Sequence, residues 1–210
     1  MELQLPENAF VNKFIAKSKF YNRVSLSSKL QSEFTNKIQK ITWKYKLAED
    51  TIGISKTENV TEIQIFEIEL KQLVIPKNVL KIIDKSIPYQ ILYIFTYKDD
   101  VAYGITLKEK NSVYNYYFSE WNQEIHFNFT GIDLEKVYQK LIKAFITNEA
   151  KSQNSFSDII DVDNKIKILE NDIVTLEIKI RKEKQFNRKV ELNKKLIVKQ
   201  SQLASIKKNS

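Results

Sequence analysis

The chain has no cysteine and a single histidine among its 210 residues. A disulfide framework is therefore excluded, as are thiolate zinc sites and multi-histidine metal centres. Any metal would have to be held by carboxylates, which points to Mg²⁺ or Mn²⁺. Glycine is scarce as well. The three glycines, at 53, 104 and 131, form neither a phosphate-cradling loop nor a dinucleotide fingerprint. Long apolar runs are missing, and nothing approaches the roughly 18 uncharged residues of a membrane span. The opening MELQLPENAFVNKF places acids early and lacks a hydrophobic segment, unlike a secretory signal. The expectation is a cytoplasmic protein with no membrane association.

What is present suits a folded domain with an appendage. A hydrophobic content of 42% with 11% aromatics supports a sizeable core. Residues 1 to 25 read as an irregular arm with a short helix. Ser25 to Ser28 offer caps for a helix over LQSEFTNKIQKITWKYKL, where Leu30, Phe34, Ile38, Ile41 and Trp43 recur at near-helical spacing. A short strand TIGIS follows at 51 to 55. The strongest strand signal is VTEIQIFEIELK, 60 to 71. Its apolar phase changes midway, from Ile63 and Ile65 to Phe66, Ile68 and Leu70. A central strand covered on both faces, or a bulge near Ile65, accounts for the switch.

Pro76 opens a helix, PKNVLKIIDKSI, and Pro88 ends it. YQILYIFTY and VAYGITLKE then form a hairpin, followed through KNS by VYNYYFSEW and IHFNFT. His126 lies opposite the Ile125, Phe127 and Phe129 face, a solvent-facing position rather than that of a catalytic base. Asp133 caps a last helix whose apolar face is Leu134, Val137, Tyr138, Leu141, Ile142 and Phe145. The fold class is α+β: a mixed β-sheet domain with packed helices over residues 1–150, followed by a charged helical tail over 151–210.

EAKSQNSFS, 149 to 157, reads as the linker, and beyond it the pattern becomes heptad. Ile159, Ile166, Ile173 and Ile180 recur every seven residues, with Val162, Leu169 and Leu176 three later. Ile at a with Leu at d favours a two-stranded parallel coiled coil. The apolar set resumes as Leu192, Leu196, Leu203 and Ile206, displaced by two residues from the first register. Either the chain reverses near Lys184 to Arg188 as a helical hairpin, or one long helix carries a skip and self-associates through its first half.

Charge is concentrated in this tail. IRKEKQFNRKVELNKK, 180 to 195, holds seven Lys and Arg against two Glu. Residues 179 to 199 carry a net +7 of a whole-chain +8, whereas 157 to 178 carry −4. Such a cluster can neutralise phosphates, and Arg181, Lys182, Lys184, Arg188 and Lys189 are the candidate DNA or RNA contacts. The alternatives are a solvated helix face or pairing with the acidic half of a folded-back tail. Phe186 is read as a hairpin-tip packing residue, with partner contact as the other reading.

One enzymatic pattern is visible. Glu67, Glu69 and Lys71 share a strand face, the acid–x–Lys arrangement of metal-dependent nucleases, and Asp50 precedes it as a second acid. Mg²⁺ would be the cofactor of such a degenerate core; no other cofactor is suggested. The same spacing arises on exposed strand faces, where opposite charges keep an edge soluble. Asp84 and Lys85 read as helix-surface residues. Tyr114, Tyr116, Tyr117, Phe118 and Trp121 could stack on bases, although sheet packing is the expected role.

The stretches ITWKYKLAEDTIGI, EIQIFEIELK, LKIIDKSIPYQILYIF, GIDLEKVYQKL and IRKEKQFNRKVELNKKL resemble a bacterial family, domain-of-unknown-function family 4391. The resemblance implies encoding beside DNA methyltransferases and helicases of restriction-type phage-defence systems. It carries no catalytic residue to this chain. The family leads one to expect Asn where TIGI has Gly53. Together these readings lead to a non-catalytic accessory subunit whose basic tail binds nucleic acid, methyltransferase or helicase subunits, or a second copy of itself. A Mg²⁺-dependent nuclease is the alternative.

Overall fold

A computed structural model describes residues 3–21, 26–108 and 114–208. The chain falls into two units, 1–145 and 146–210. In the first, a short 3₁₀ turn leads into β1 (Phe10–Phe14), then α1 (Ser18–Tyr21) and α2 (Ser28–Lys37), which run into β2 (Ile38–Leu47). There follow α3 (Glu49–Ile52), β3 (Ile63–Leu70), α4 (Lys77–Ser86), β4 (Gln90–Tyr97), β5 (Asp100–Lys108), β6 (Tyr114–Phe118) and α5 (Leu134–Lys143). The six strands lie in sequence order, and every pairing is antiparallel except β3–β4, which α4 connects as a parallel crossover. This is the expected α+β mixed sheet with packed helices.

The phase switch in β3 is explained by burial on both faces. Phe66, Ile68 and Leu70 join Phe34, Ile41, Leu80, Ile83, Tyr93 and Phe95 in the core beneath α1, α2 and α4. Alternation sends Ile63 and Ile65, also fully buried, to the opposite face. A bulge contributes too, but on the partner strand: Trp43 pairs with Phe66 and Tyr45 with Ile65, leaving Lys44 without an opposite residue. On the second face Phe127 stacks edge-on to Tyr103 and meets Phe145 just beyond α5.

Three expected elements differ. The helix expected through Trp43 stops at Lys37, where Ser27 has capped its start, and ITWKYKL becomes strand. Its β-branched and aromatic residues fit a half-buried pleated surface better than a helix. TIGIS is no strand: Thr51 and Ile52 end α3, and Gly53 turns the chain at φ 68°. That left-handed position suits Gly or Asn alike, so the residue expected from the family and the residue found meet one backbone demand. IHFNFT belongs to no strand among the described residues. His126 is solvent-exposed as expected. The KNS turn lies outside the described residues.

The second unit holds α6 (Asn148–Lys151), α7 (Phe156–Lys182) and α8 (Phe186–Lys208). The expected linker is thus partly helical, and Ser155 accepts the Asp158 N–H to start α7. α7 and α8 fold back on each other as a helical hairpin. The heptad seam is used antiparallel within one chain, not as the parallel pair its Ile-then-Leu pattern favours. The two-residue displacement of the second apolar set marks the reversal. Among the described residues no helix is long and apolar enough to cross a membrane.

Candidate nucleic-acid interface

The hairpin turn is three residues long, Glu183 to Gln185. Glu183 orders it: one carboxylate oxygen accepts the N–H groups of Lys184 at 2.8 Å and Gln185 at 2.9 Å. The Gln185 N–H is a donor that the start of α8 would otherwise leave unsatisfied. Those bonds, with Arg188 nearby, hold the Glu183 carboxyl below its ordinary value. About 40 Å of α7 lies behind the turn, at 1.5 Å per residue.

Folding back sorts the charges. Away from the turn, cations of α8 meet acids of α7: Lys199 pairs with Asp172 at 2.8 Å and Lys207 with Glu170 at 3.2 Å. Near the turn the two basic ends face each other, so six cations and one carboxylate lie between 179 and 189. Among the described residues, none of Arg181, Lys182, Lys184, Arg188 and Lys189 has a carboxylate within ion-pair distance. Phe186 opens α8 and is 76% exposed. This corrects the expectation that it packs at the tip: three quarters of the residue faces solvent.

The acid–x–Lys residues do not gather. Leu47 of β2 pairs with Ile63, so Asp50 stands past the first end of β3, whereas Lys71 follows its last residue. Eight strand residues, roughly 26 Å, separate those ends. Asp50 is held by Lys46 at 3.0 Å, and Glu67, half-buried, by Lys44 at 3.0 Å. Glu69 is exposed. The charge felt by Lys17 from Lys71 is a like one. No three acidic or histidine side chains are placed to hold a metal ion among the described residues. A Mg²⁺ site on this set therefore has no fit.

The aromatic cluster packs. Tyr117 is buried, Tyr116 and Phe118 stack with centroids 5.9 Å apart, and Trp121 lies against the core. The Tyr114 side chain lies outside what is described.

The sequence reading missed a buried polar network. Asp84, read as a surface residue, is 2% exposed. Its Oδ2 accepts from Thr106 Oγ1 at 3.0 Å and Tyr116 OH at 2.7 Å, while Lys108 Nζ stands 3.5 Å from Oδ1. The same ammonium donates to the carbonyls of Ile87, at 2.8 Å, and Tyr89, which leave the end of α4. Tyr138 of α5 donates to the Thr106 carbonyl. The group ties α4, β5, β6 and α5 together. Burial pushes the Asp84 carboxyl up against the pull of Lys108, lowers Lys108 and raises Tyr93 and Tyr138. A signal existed: Asp84 is four residues past Leu80, on the apolar face of α4. The network acts as a staple between these elements.

Residues 3–203 match the family described as Domain of unknown function (DUF4391). The chain belongs to that family. Nothing matches among curated proteins or among solved structures. As a member of DUF4391 the chain inherits no assigned activity, so its chemistry rests on the geometry above.

Proposed function

We propose that this DUF4391 protein is a non-catalytic accessory subunit of a bacterial restriction or phage-defence complex, with the basic hairpin tip as its contact to nucleic acid. One observation carries the reading. The fold pairs Lys199 and Lys207 with acids of α7, and among the described residues it leaves Arg181, Lys182, Lys184, Arg188 and Lys189 at the turn, like Lys179, Lys194 and Lys195 beside them, without a carboxylate within ion-pair distance. The resemblance to a family placed beside DNA methyltransferases and helicases supports the setting, and those enzymes are the proposed partner subunits.

The test is a salt titration of DNA binding, on duplex and on single strand, by wild type and by the variant with all five cations changed to Gln. On duplex, five phosphate contacts give a slope of about −4.5 in log affinity against log salt, hence roughly a 500-fold loss between 50 and 200 mM. The variant loses that slope and most of its affinity. Equal slopes for the two proteins refute the proposal.

A further inference from the structure

Phe186 asks for an explanation that phosphate contacts do not supply. An exposed phenyl ring forgoes about 1.5–3 kcal/mol of burial, and no other ring among the described residues packs on it. It sits as the first residue of α8 on a turn whose backbone is held by Glu183, so its position is fixed by the fold. Lys182, Lys184, Arg188 and Lys189 surround it in sequence, on both sides of the turn. Between 181 and 189 it is the one apolar side chain; the next exposed ones are Ile178 on α7, 47%, and Val190 on α8, 37%. A groove-binding helix or a membrane-surface helix needs a continuous apolar face, and the tip offers a single ring among cations.

Building on the nucleic-acid reading, we propose that Phe186 is a base-stacking residue and that the tip's ligand is nucleic acid with accessible bases: a single strand, flap or melted junction rather than an intact duplex. Cations on either side of the turn hold the phosphates of a strand crossing the tip. The ring takes the face of one unstacked base, a contact every base can offer. In an intact duplex that face is covered by its neighbours, so the ring has nothing to meet.

The experiment uses the full chain and three probes: an oligothymidine, a blunt duplex of equal length and inorganic polyphosphate. Phe186→Ala is expected to weaken oligothymidine binding roughly 5- to 150-fold, the contribution of one stacked base. Duplex and polyphosphate affinities change less than about two-fold. Phe186→Trp keeps the oligothymidine affinity, and its added indole is quenched on binding, read above the background of Trp43 and Trp121. Unchanged oligothymidine binding by Phe186→Ala overturns the proposal, as does an equal loss on all three probes. Binding of Phe186-dependent strength to anionic vesicles or to a partner protein alone overturns it as well. The five-Gln variant judges the phosphate contacts separately, so stacking can fail while the proposed function stands.

Discussion

Replacing Lys108 by Met is the sharpest perturbation of the sheet domain. The thioether keeps the stem's volume but removes the one cation paired with Asp84 among the described residues; the Asp84 carboxylate is fully buried, while the Lys108 side chain is 12% exposed. Breaking a buried pair by removing one partner costs about 3–5 kcal/mol. For a protein of this size, that is roughly 10 °C in Tm. Asp84→Asn leaves the ammonium buried and uncompensated and falls in the same range. The double variant leaves no buried charge, so its loss is smaller than the two single losses together, by about 0.5–3 kcal/mol. Urea unfolding of the four proteins measures this, and additivity within about 0.5 kcal/mol refutes the network as a coupled unit.

The pH dependence has a definite sign. Burial raises the Asp84 carboxyl in the folded protein above its unfolded value of about 3.9. Between those two values the folded state binds more protons, so stability falls as pH rises. Lys108 opposes the rise, and without it the window widens. The stability gap between wild type and Lys108→Met therefore narrows as pH is lowered from 7 towards 4. A gap that grows on acidification means that Asp84 is stabilised as a carboxylate by groups other than Lys108.

Further outcomes follow from close contacts and backbone shape. A Cβ at position 104 would stand 2.8 Å from the Phe118 ring and 2.9 Å from Phe95, so Gly104→Ala costs about 1–3 kcal/mol in thermal unfolding. At Gly53, where a Cβ meets open space but φ is 68°, Asn is tolerated and Val costs about 1–2 kcal/mol or more.

Periodicity made some of this legible and concealed the rest. α4 and α5 were readable because Pro76 and Asp133 mark their starts and their apolar stripes are unbroken. Leu30, Phe34, Ile38 and Ile41 keep helical spacing across a boundary that the backbone crosses as helix to strand. Both elements bury the same face, so spacing alone did not show the change. IHFNFT alternates because one side faces the core; alternation reports one-sided burial and is silent about hydrogen bonding. The heptads announced a helical partner without saying whether it lay in the same chain. The place of Asp84 on the apolar face of α4 was legible, but its partners, Thr106, Lys108 and Tyr116, are brought to it only by the sheet. The tip cations could be named from sequence, but their freedom from carboxylates required the hairpin register.

That register also implies a cost. Folding back sets the basic end of α7 against the basic start of α8, and Glu183 is the single carboxylate among six cations there. Like charges at helical neighbours oppose folding by a few tenths of a kcal/mol per pair, and the Debye length shrinks from about 30 Å at 0.01 M to about 3 Å at 1 M salt. The five-Gln variant should therefore be more stable than wild type at low salt, by up to about 1 kcal/mol, with the gain fading as salt is added. Thermal melting followed by helical circular dichroism measures it. A cluster that destabilises its own element is retained for what it binds, as with other strained functional sites. If the variant instead melts earlier at every salt concentration, the cations are serving the hairpin itself, and the case for an external polyanion loses its footing.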